Sequence, residues 1–409
     1  MGNGHQGGWP EPRLMNVVHH ASSDALEQRV GALIEAYDSQ GNHRTGTAVD
    51  HESAQWLVAC ARRLGVEATL EPFALDRIDP QPSYLRLAKR CIGGLPLFDA
   101  SFTGPDGIRG RLGALGSDAD IAVIETEPFS LMELQKEQRD AVAAARRSGH
   151  KAVVVLTRGK HPGLFLLNAL SFKAPCGPPM LQVSSAETEW LKEQVAARVN
   201  ATIVVDGLRT PAQAFNVTAT IVGSDPDLPP LVIMTPRSGW WQCASERGGG
   251  LACWIETMRV LAQAKPARDC HFVACSAHEL GFLGIDAYLE RRPDLVTRAY
   301  QWIHFGANIG SPRQAHLVHA SDDRAERWVV GVLEKEGLTA GRTAKRGSPP
   351  RGEAKTLHRR GARYVALVCD TDVFHHAADR WPDAVDVALL ARYARAFASG
   401  ALQLASGDV

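Results

Sequence analysis

The chain has 409 residues, and its 45 Lys and Arg side chains balance 45 Asp and Glu side chains. This neutrality gives no reason to expect nucleic acid or an anionic membrane as a partner, because both attract basic surfaces. The hydrophobic content of 45% is ordinary for a globular protein, and the length predicts two or three domains.

The N-terminal residues come first, and they lack the basic start and the apolar run of a secretory signal. No stretch of about 18 apolar residues follows, so we expect a cytoplasmic protein that does not cross a membrane. Apolar residues then recur at helical spacing from Ser22 to Tyr37, and a second amphipathic helix is predicted to end at Gly65. TLEPFAL, residues 69–75, follows as a predicted strand.

The pattern changes between about residue 80 and residue 210, where short strands and turns take over. SYLRLA, IAVIET and KAVVVLT predict strands, and residues 132–149 predict a helix before the last of them. We therefore predict three parts of the chain. Residues 1–104 begin the main α/β domain, residues 105–208 form a smaller inserted α+β domain, and residues 209–409 complete the main domain.

The main domain resumes with the strand AFNVTATIVG, and buried strands then alternate with helices toward the C-terminus. LVIMT and CHFVACSA are continuous apolar strands, as a sheet covered on both faces requires. The alternation indicates a mostly parallel mixed sheet with helices on both faces. Ligands bind beyond the carboxyl ends of the strands in such sheets.

Polar and aromatic side chains follow the predicted strand ends. They are Arg237, Ser238, Trp240, Trp241, Glu246 and Arg247 after LVIMT, His278 and Glu279 after CHFVACSA, and His375 and His376 after the last strand. Taken alone, an acid such as Glu279 suits a helix start, a histidine pair suits a solvated loop, and tryptophans suit core packing. Their shared position at strand ends makes them candidate site residues.

Taken together, these segments resemble the zinc-dependent aminopeptidase family that also contains the glutaminyl cyclases. HELGFLGIDAYL resembles the family's Glu-Glu-Leu-Gly-x-x-Gly helix start, and FHHAADRWPDAVD resembles its Tyr-His-Thr-x-x-Asp ending. AFNVTATIVGSDPDLPPLVIM resembles the segment that leads into its first core strand. The resemblance implies the zinc-aminopeptidase fold and a protease-associated domain as the insert.

The resemblance also implies an incomplete two-metal site. The family's first His falls near Thr235 or Pro236, and a later Asp falls at Ala307, so the private ligands of one metal are missing. The other set is present as Glu246 in the bridging position, Glu279 and His375. Three oxygen or nitrogen ligands with an open position suit one catalytic zinc per chain.

His278 stands where the family has its general-base Glu, and imidazole titrates close enough to neutrality to serve as base or acid. Arg247 either compensates Glu246 without a metal or binds a substrate carboxylate. The candidate catalytic residues are therefore His278 and Glu246. The candidate substrate-binding residues are Arg237, Ser238, Trp240, Trp241, Arg247 and His376.

Three functions remain open at this point. The first is a single-zinc hydrolase or acyl-transfer enzyme that acts on an amide or related substrate. The second is a metal-independent enzyme on the same scaffold, with His278 and either Glu246 or Glu279 as its acid–base groups. The third is a non-catalytic relative that binds a peptide or small molecule. A homo-oligomer is compatible with each of them.

Overall fold

The computed structural model describes residues 23–88, 90–126 and 136–407. Its strands are β1 (Ala68–Pro80), β2 (Tyr84–Leu87), β3 (Arg90–Pro96), β4 (Ile108–Ala114), β5 (Ile121–Thr126), β6 (Ala152–Thr157), β7 (Met180–Val183), β8 (Asn200–Val204), β9 (Gly207–Ile221), β10 (Leu231–Pro236), β11 (Cys270–Cys275), β12 (Gln301–Phe305), β13 (His316–Ala320), β14 (Gly341–Thr343) and β15 (Tyr364–Cys369). Its helices are α1 (Ser23–Asp38), α2 (Ala48–Arg63), α3 (Lys136–Arg146), α4 (Thr188–Ala196), α5 (Gly249–Ala264), α6 (Leu283–Glu290), α7 (Leu295–Arg298), α8 (Asp323–Lys335), α9 (Ala354–Arg359) and α10 (Val387–Ala405). A single π-helical turn, Ala244–Gly248, leads into α5.

Two of the sequence-based expectations fall outside this description. The N-terminal residues in which no secretory signal was found belong to the segment 1–22, and the predicted helix 132–149 is described only from Lys136 onward. Within the described ranges, no helix is both long and apolar enough to cross a membrane.

The main sheet has eight strands in the order β1-β9-β11-β10-β12-β15-β13-β14. Strands β11, β10, β12 and β15 run parallel to one another in its centre. Strand β9 pairs antiparallel with β1 and β11, and β13 pairs antiparallel with β15 and parallel with β14. The predicted fold class, a mostly parallel mixed sheet, is confirmed.

Helices cover both faces of this sheet, which explains why its central strands are mostly apolar. Successive residues of a strand point to opposite faces. Ile233 accordingly packs into the core formed with α1, α2, α5, α8 and α10. Its neighbour Met234 packs into the second core, formed with α6, α7 and α9. Polar groups that follow such strands therefore emerge only at the sheet's edge.

The inserted unit is a closed barrel of seven strands, β2-β3-β7-β6-β5-β4-β8. Its own apolar core includes Leu85, Val154 and Ile203. The barrel strands begin at Tyr84, close to the change of sequence pattern at about residue 80 and before the predicted boundary at residue 105. Strand β3 also lies before that boundary, and its sequence RCIGGLP is rich in glycine and gives a weak strand signal.

A long antiparallel pair connects the barrel to the main sheet. Strands β1 and β9 pair without interruption from Ala68 and Ala219 to Pro80 and Gly207, where the barrel begins. An apolar cluster fills the angle between the two units and contains Phe98, Leu166 and Phe172 from the insert. The β6–β7 connection of the barrel thereby returns to the carboxyl edge of the main sheet.

Candidate functional site

Two carboxylates meet at the carboxyl edge of the parallel strands. Glu279 follows β11, and Glu246 lies in the π-helical turn before α5. Ser238, just past β10, donates its hydroxyl to Glu279 Oε2 at 3.0 Å and accepts the Ala277 backbone N–H at 2.8 Å. The ends of β10 and β11 are thus joined directly beneath the site.

A guanidinium group lies between the two carboxylates. Arg247 Nη2 is 2.7 Å from Glu246 Oε1 and 2.9 Å from Glu279 Oε1, and Arg247 Nε donates to the Ser238 carbonyl at 2.7 Å. All three charged side chains are buried. Burial would raise the pKa of Glu246, but Arg247 and His375 outweigh it and lower that pKa to about 2. Glu246 is therefore a carboxylate whose charge Arg247 compensates.

Asp379 holds the π-helical turn in place. Its carboxyl oxygens accept the backbone N–H groups of Ser245 at 2.8 Å and Glu246 at 2.9 Å. Burial, together with the nearby charge of Glu246, raises the pKa of Asp379 to about 7. The side chain of Asp379 thus fixes the backbone that carries Glu246 and Arg247.

His375 reaches the same cluster from the loop after β15. Its Nδ1 lies 2.7 Å from the Leu166 carbonyl, which comes from the insert, and its backbone N–H donates to Glu246 Oε2 at 3.2 Å. A carbonyl only accepts, so Nδ1 carries a proton. The other ring nitrogen, Nε2, is 3.4 Å from Glu246 Oε1. Trp241 closes this side by donating its indole N–H to the His375 carbonyl at 3.0 Å.

A second polar cluster adjoins the first and contains two residues that the sequence did not reveal. His278 Nδ1 lies 2.8 Å from Glu353 Oε1, and His304 Nε2 lies 3.2 Å from Glu353 Oε2. Glu353 is fully buried. Burial would raise the pKa of Glu353, but the two imidazoles outweigh it and hold that pKa well below its ordinary value.

The sequence offered little to identify these two residues. Glu353 precedes a short helix in a loop without periodic pattern, and a carboxylate there looks like an ordinary helix start. His304 was the more accessible signal, because it is a polar residue inside the apolar strand β12.

The structure brings together most of the predicted site residues. Glu246, Arg247, Glu279, Ser238 and His375 form the carboxylate cluster, Trp241 lines it, and His278 belongs to the adjoining one. The two clusters are close enough for His278 to act on Glu246: burial raises the pKa of Glu246, and His278 helps Arg247 and His375 to lower it.

Three predicted substrate-binding residues lie elsewhere. Arg237 is fully buried and pairs with Asp50 at 2.9 Å, so it ties α2 to the sheet. Trp240 packs edge-on against Phe98 in the cluster between insert and sheet. His376 packs against Phe165 of the insert. The structure places these three side chains outside the carboxylate cluster, because position after a strand does not determine where a side chain points, and their contact with a substrate stays a prediction.

The residues that stand where the family has its missing metal ligands are buried, and they cannot serve as ligands themselves. Thr235 turns its hydroxyl to the Pro236 carbonyl at 3.3 Å, and Ala307 belongs to a small apolar cluster. Neither side chain can hold a divalent ion as His or Asp does. The described residues thus offer no private ligands for a second metal at these positions.

The remaining three-ligand set also does not fit a metal in this arrangement. His375 lies beside Glu246, but Arg247 already occupies the position between Glu246 and Glu279. Cys243, Glu246 and Asp379 form another close group. Burial raises the pKa of the Cys243 thiol well above its ordinary value, and its Sγ lies 3.7 Å from Glu246 Oε2 as a donor. The set of Glu246, Glu279 and His375 is therefore not free to coordinate while Arg247 lies between the two carboxylates.

Comparison with known proteins identifies the fold. No family model and no curated protein matches the sequence. A zinc aminopeptidase from Bacillus subtilis is similar in structure, with a TM-score of 0.74 and 17% identity over 94% of this chain and 96% of that chain. A peptidase M28 precursor from Shewanella amazonensis gives 0.75 and 16% over 95% and 96%. An aminopeptidase from Aneurinibacillus sp. strain AM-1 gives 0.68 and 16% over 93% of both chains. The predicted resemblance is thus confirmed at the level of the fold.

Proposed function

We propose that this chain is an aminopeptidase-like hydrolase or acyl-transfer enzyme in which His278 is the general base and no divalent metal takes part. The observation that carries the proposal is the 2.8 Å contact between His278 Nδ1 and the buried Glu353 carboxylate. The fold supports the reaction class, because the similar solved structures are those of peptidases and aminopeptidases.

The contact with Glu353 gives His278 the properties of a base. A carboxylate only accepts hydrogen bonds, so the His278 proton lies on Nδ1 and the lone pair lies on Nε2. Among the described residues, no hydrogen bond involves Nε2. That nitrogen can take the proton of a water or of another nucleophile as it attacks a carbonyl. Glu353 then stabilises the imidazolium that forms and returns the ring to the same tautomer.

The substrate class that suits this arrangement is a small amide, a related carbonyl compound or a peptide. The insert supplies the cover, since its Leu166 carbonyl holds His375 and the backbone N–H of its Ala169 donates to the Glu279 carbonyl at 2.7 Å. We propose that the insert, in the place of a protease-associated domain, covers the site and excludes water from it. Water exclusion by such a cover strengthens the electrostatic interactions beneath it.

A turnover assay with a panel of aminoacyl anilides and N-terminal glutaminyl peptides tests the proposal. Activity should survive exhaustive chelation, and His278→Ala should lose about 10²- to 10⁴-fold in kcat, the usual contribution of a positioned acid–base group. His271→Ala is the matched control. His271 lies on the same strand β11, but its ring nitrogen contacts Thr220 of the neighbouring strand β9 at 3.0 Å, away from His278. Unchanged activity of His278→Ala would rule out the assigned role.

A second candidate is the single-zinc hydrolase, and the position of His375 Nε2 3.4 Å from Glu246 Oε1 favours it. Zinc would supply Lewis-acid polarisation of a carbonyl or an acidified water. It requires Arg247 to leave the position that it occupies between the carboxylates. Loss of turnover on chelation, with recovery on zinc addition, would select this candidate over the first.

A further inference from the structure

We infer that Arg247 is a built-in cation in the position of a metal ion, and that replacing it with alanine converts the carboxylate cluster into a zinc site. The ligands would be Glu246, Glu279 and His375. This inference concerns the carboxylate cluster alone and is independent of the role proposed for His278.

The position of one guanidinium nitrogen is the first observation. Nη2 of Arg247 contacts Glu246 Oε1 at 2.7 Å and Glu279 Oε1 at 2.9 Å, so one positive group bridges two carboxylates from different loops. A divalent ion bound between the same two oxygens would occupy this volume, since zinc–oxygen bonds are about 2.0–2.2 Å long. Arginine and metal are therefore mutually exclusive here.

The ring of His375 is the second observation. Its Nδ1 donates to the Leu166 carbonyl at 2.7 Å, which leaves the lone pair on Nε2. Nε2 is buried, lies 3.4 Å from Glu246 Oε1, and makes no hydrogen bond among the described residues. Histidines that bind metals are held in this way, with one ring nitrogen donating to a carbonyl and the other facing the metal.

The carboxylate ligands also have fixed outer partners. Ser238 donates to Glu279 Oε2 at 3.0 Å, and Asp379 holds the backbone N–H of Glu246 at 2.9 Å. Such outer contacts orient the first ligands and contribute to metal affinity. The three ligand atoms do not all lie within 4.8 Å of one another while the guanidinium separates the carboxylates, so the site has to contract around the ion when Arg247 is removed.

Charge balance explains why alanine at position 247 should recruit a metal. Two buried carboxylates without a cation are strongly destabilising, because removal of one partner leaves an uncompensated buried charge. Zinc restores the positive charge and fills the space left by the guanidinium. The folded variant therefore depends on zinc, whereas wild-type protein gains nothing from it.

The test is thermal unfolding and elemental analysis of full-length wild-type protein and Arg247→Ala, each in chelator and in zinc. Wild type should show the same Tm in both and retain no stoichiometric zinc after dialysis. Arg247→Ala should have a lower Tm in chelator, recover with zinc and retain one zinc per chain. Adding His375→Ala to this variant should weaken zinc binding by at least about tenfold.

Arg237→Ala is the matched control, since Arg237 is also fully buried and paired with a carboxylate, that of Asp50. Zinc should not raise the Tm of this variant. Three results overturn the inference: stoichiometric zinc in wild type, folded Arg247→Ala that binds none, or Arg247→Ala that stays unfolded in zinc as well as in chelator. None of these readouts depends on turnover.

Discussion

The carboxylate of Glu353 lies 2.8 Å from Nδ1 of His278, although 75 residues separate the two in the chain. The contact joins the start of α9 to the end of β11, and it places a buried negative charge directly behind an imidazole that lines the candidate site. A carboxylate in this position orients a histidine and stabilises its protonated form.

Glu353→Gln should therefore impair catalysis without removing the base itself. We expect kcat to fall by about 10²-fold or more, because acid–base groups contribute roughly that much when correctly oriented. KM should change less than kcat, because Glu353 acts through the ring of His278. Glu336→Gln, which alters a surface pair with Arg395, is the control and should leave kcat unchanged. A kcat of Glu353→Gln equal to that of wild type would separate Glu353 from the chemistry.

Arg237→Ala should lower the free energy of unfolding without changing KM. Arg237 pairs with Asp50 at 2.9 Å, and both side chains are fully buried. Breaking a buried pair by removing one partner costs about 3–5 kcal/mol. Arg395→Ala should cost about 1 kcal/mol or less, because its pair with Glu336 is partly exposed. Denaturant unfolding measures both, and equal losses would contradict this account of Arg237.

The buried imidazole of His43 should make the protein less stable as the pH falls below about 6.5. Burial, with a contribution from Arg237, lowers the pKa of His43 to about 3 from its ordinary value near 6.5. Between these two values the unfolded chain binds a proton that the native chain does not, so stability falls as pH falls from about 6.5 towards 3. The expected slope from this residue is about 1.4 kcal/mol per pH unit.

Denaturant unfolding from pH 7 to pH 4 measures this slope. His43→Gln should lose it, because glutamine does not titrate in this range. Parallel profiles of wild type and His43→Gln would show that His43 does not remain neutral on folding.

Two glycine substitutions on helices should act in opposite directions. A Cβ at Gly249 would overlap the Ile309 carbonyl at the start of α5, next to the turn that carries Glu246 and Arg247. Gly249→Ala should therefore destabilise by about 1–3 kcal/mol or more. At Gly331 in α8 a Cβ would meet nothing within 4 Å, so alanine should stabilise by about 0.5–1 kcal/mol. Thermal unfolding of the pair checks whether this backbone approach is as close as the structure indicates.

The sequence was sufficient to predict the fold and the meeting of polar side chains at one edge of the sheet, for one physical reason. Parallel strands gather their carboxyl ends at one edge, so residues after β10, β11 and β15 meet there whatever their distance in sequence. Glu246, Glu279 and His375 were predicted in this way. Side-chain direction is not contained in that argument, so the sequence could not show that Arg237 pairs with Asp50.

Glu353 illustrates a different limit of the sequence. It reaches His278 from a loop between β14 and α9, and its burial depends on contacts with His278 and His304 that no local pattern encodes. The bridging role of Arg247 was one of two interpretations that its position allowed. The short distances from Arg247 Nη2 to the carboxylates of Glu246 and Glu279 favour a compensating cation over a group that binds a substrate carboxylate.

The most direct test of the central claim is the zinc content of the wild-type chain. Protein purified from zinc-supplemented medium and dialysed against metal-free buffer should contain no stoichiometric zinc, because Arg247 already bridges Glu246 and Glu279. One zinc per chain that is lost in Glu279→Gln would contradict the account and assign the carboxylate cluster to a metal instead.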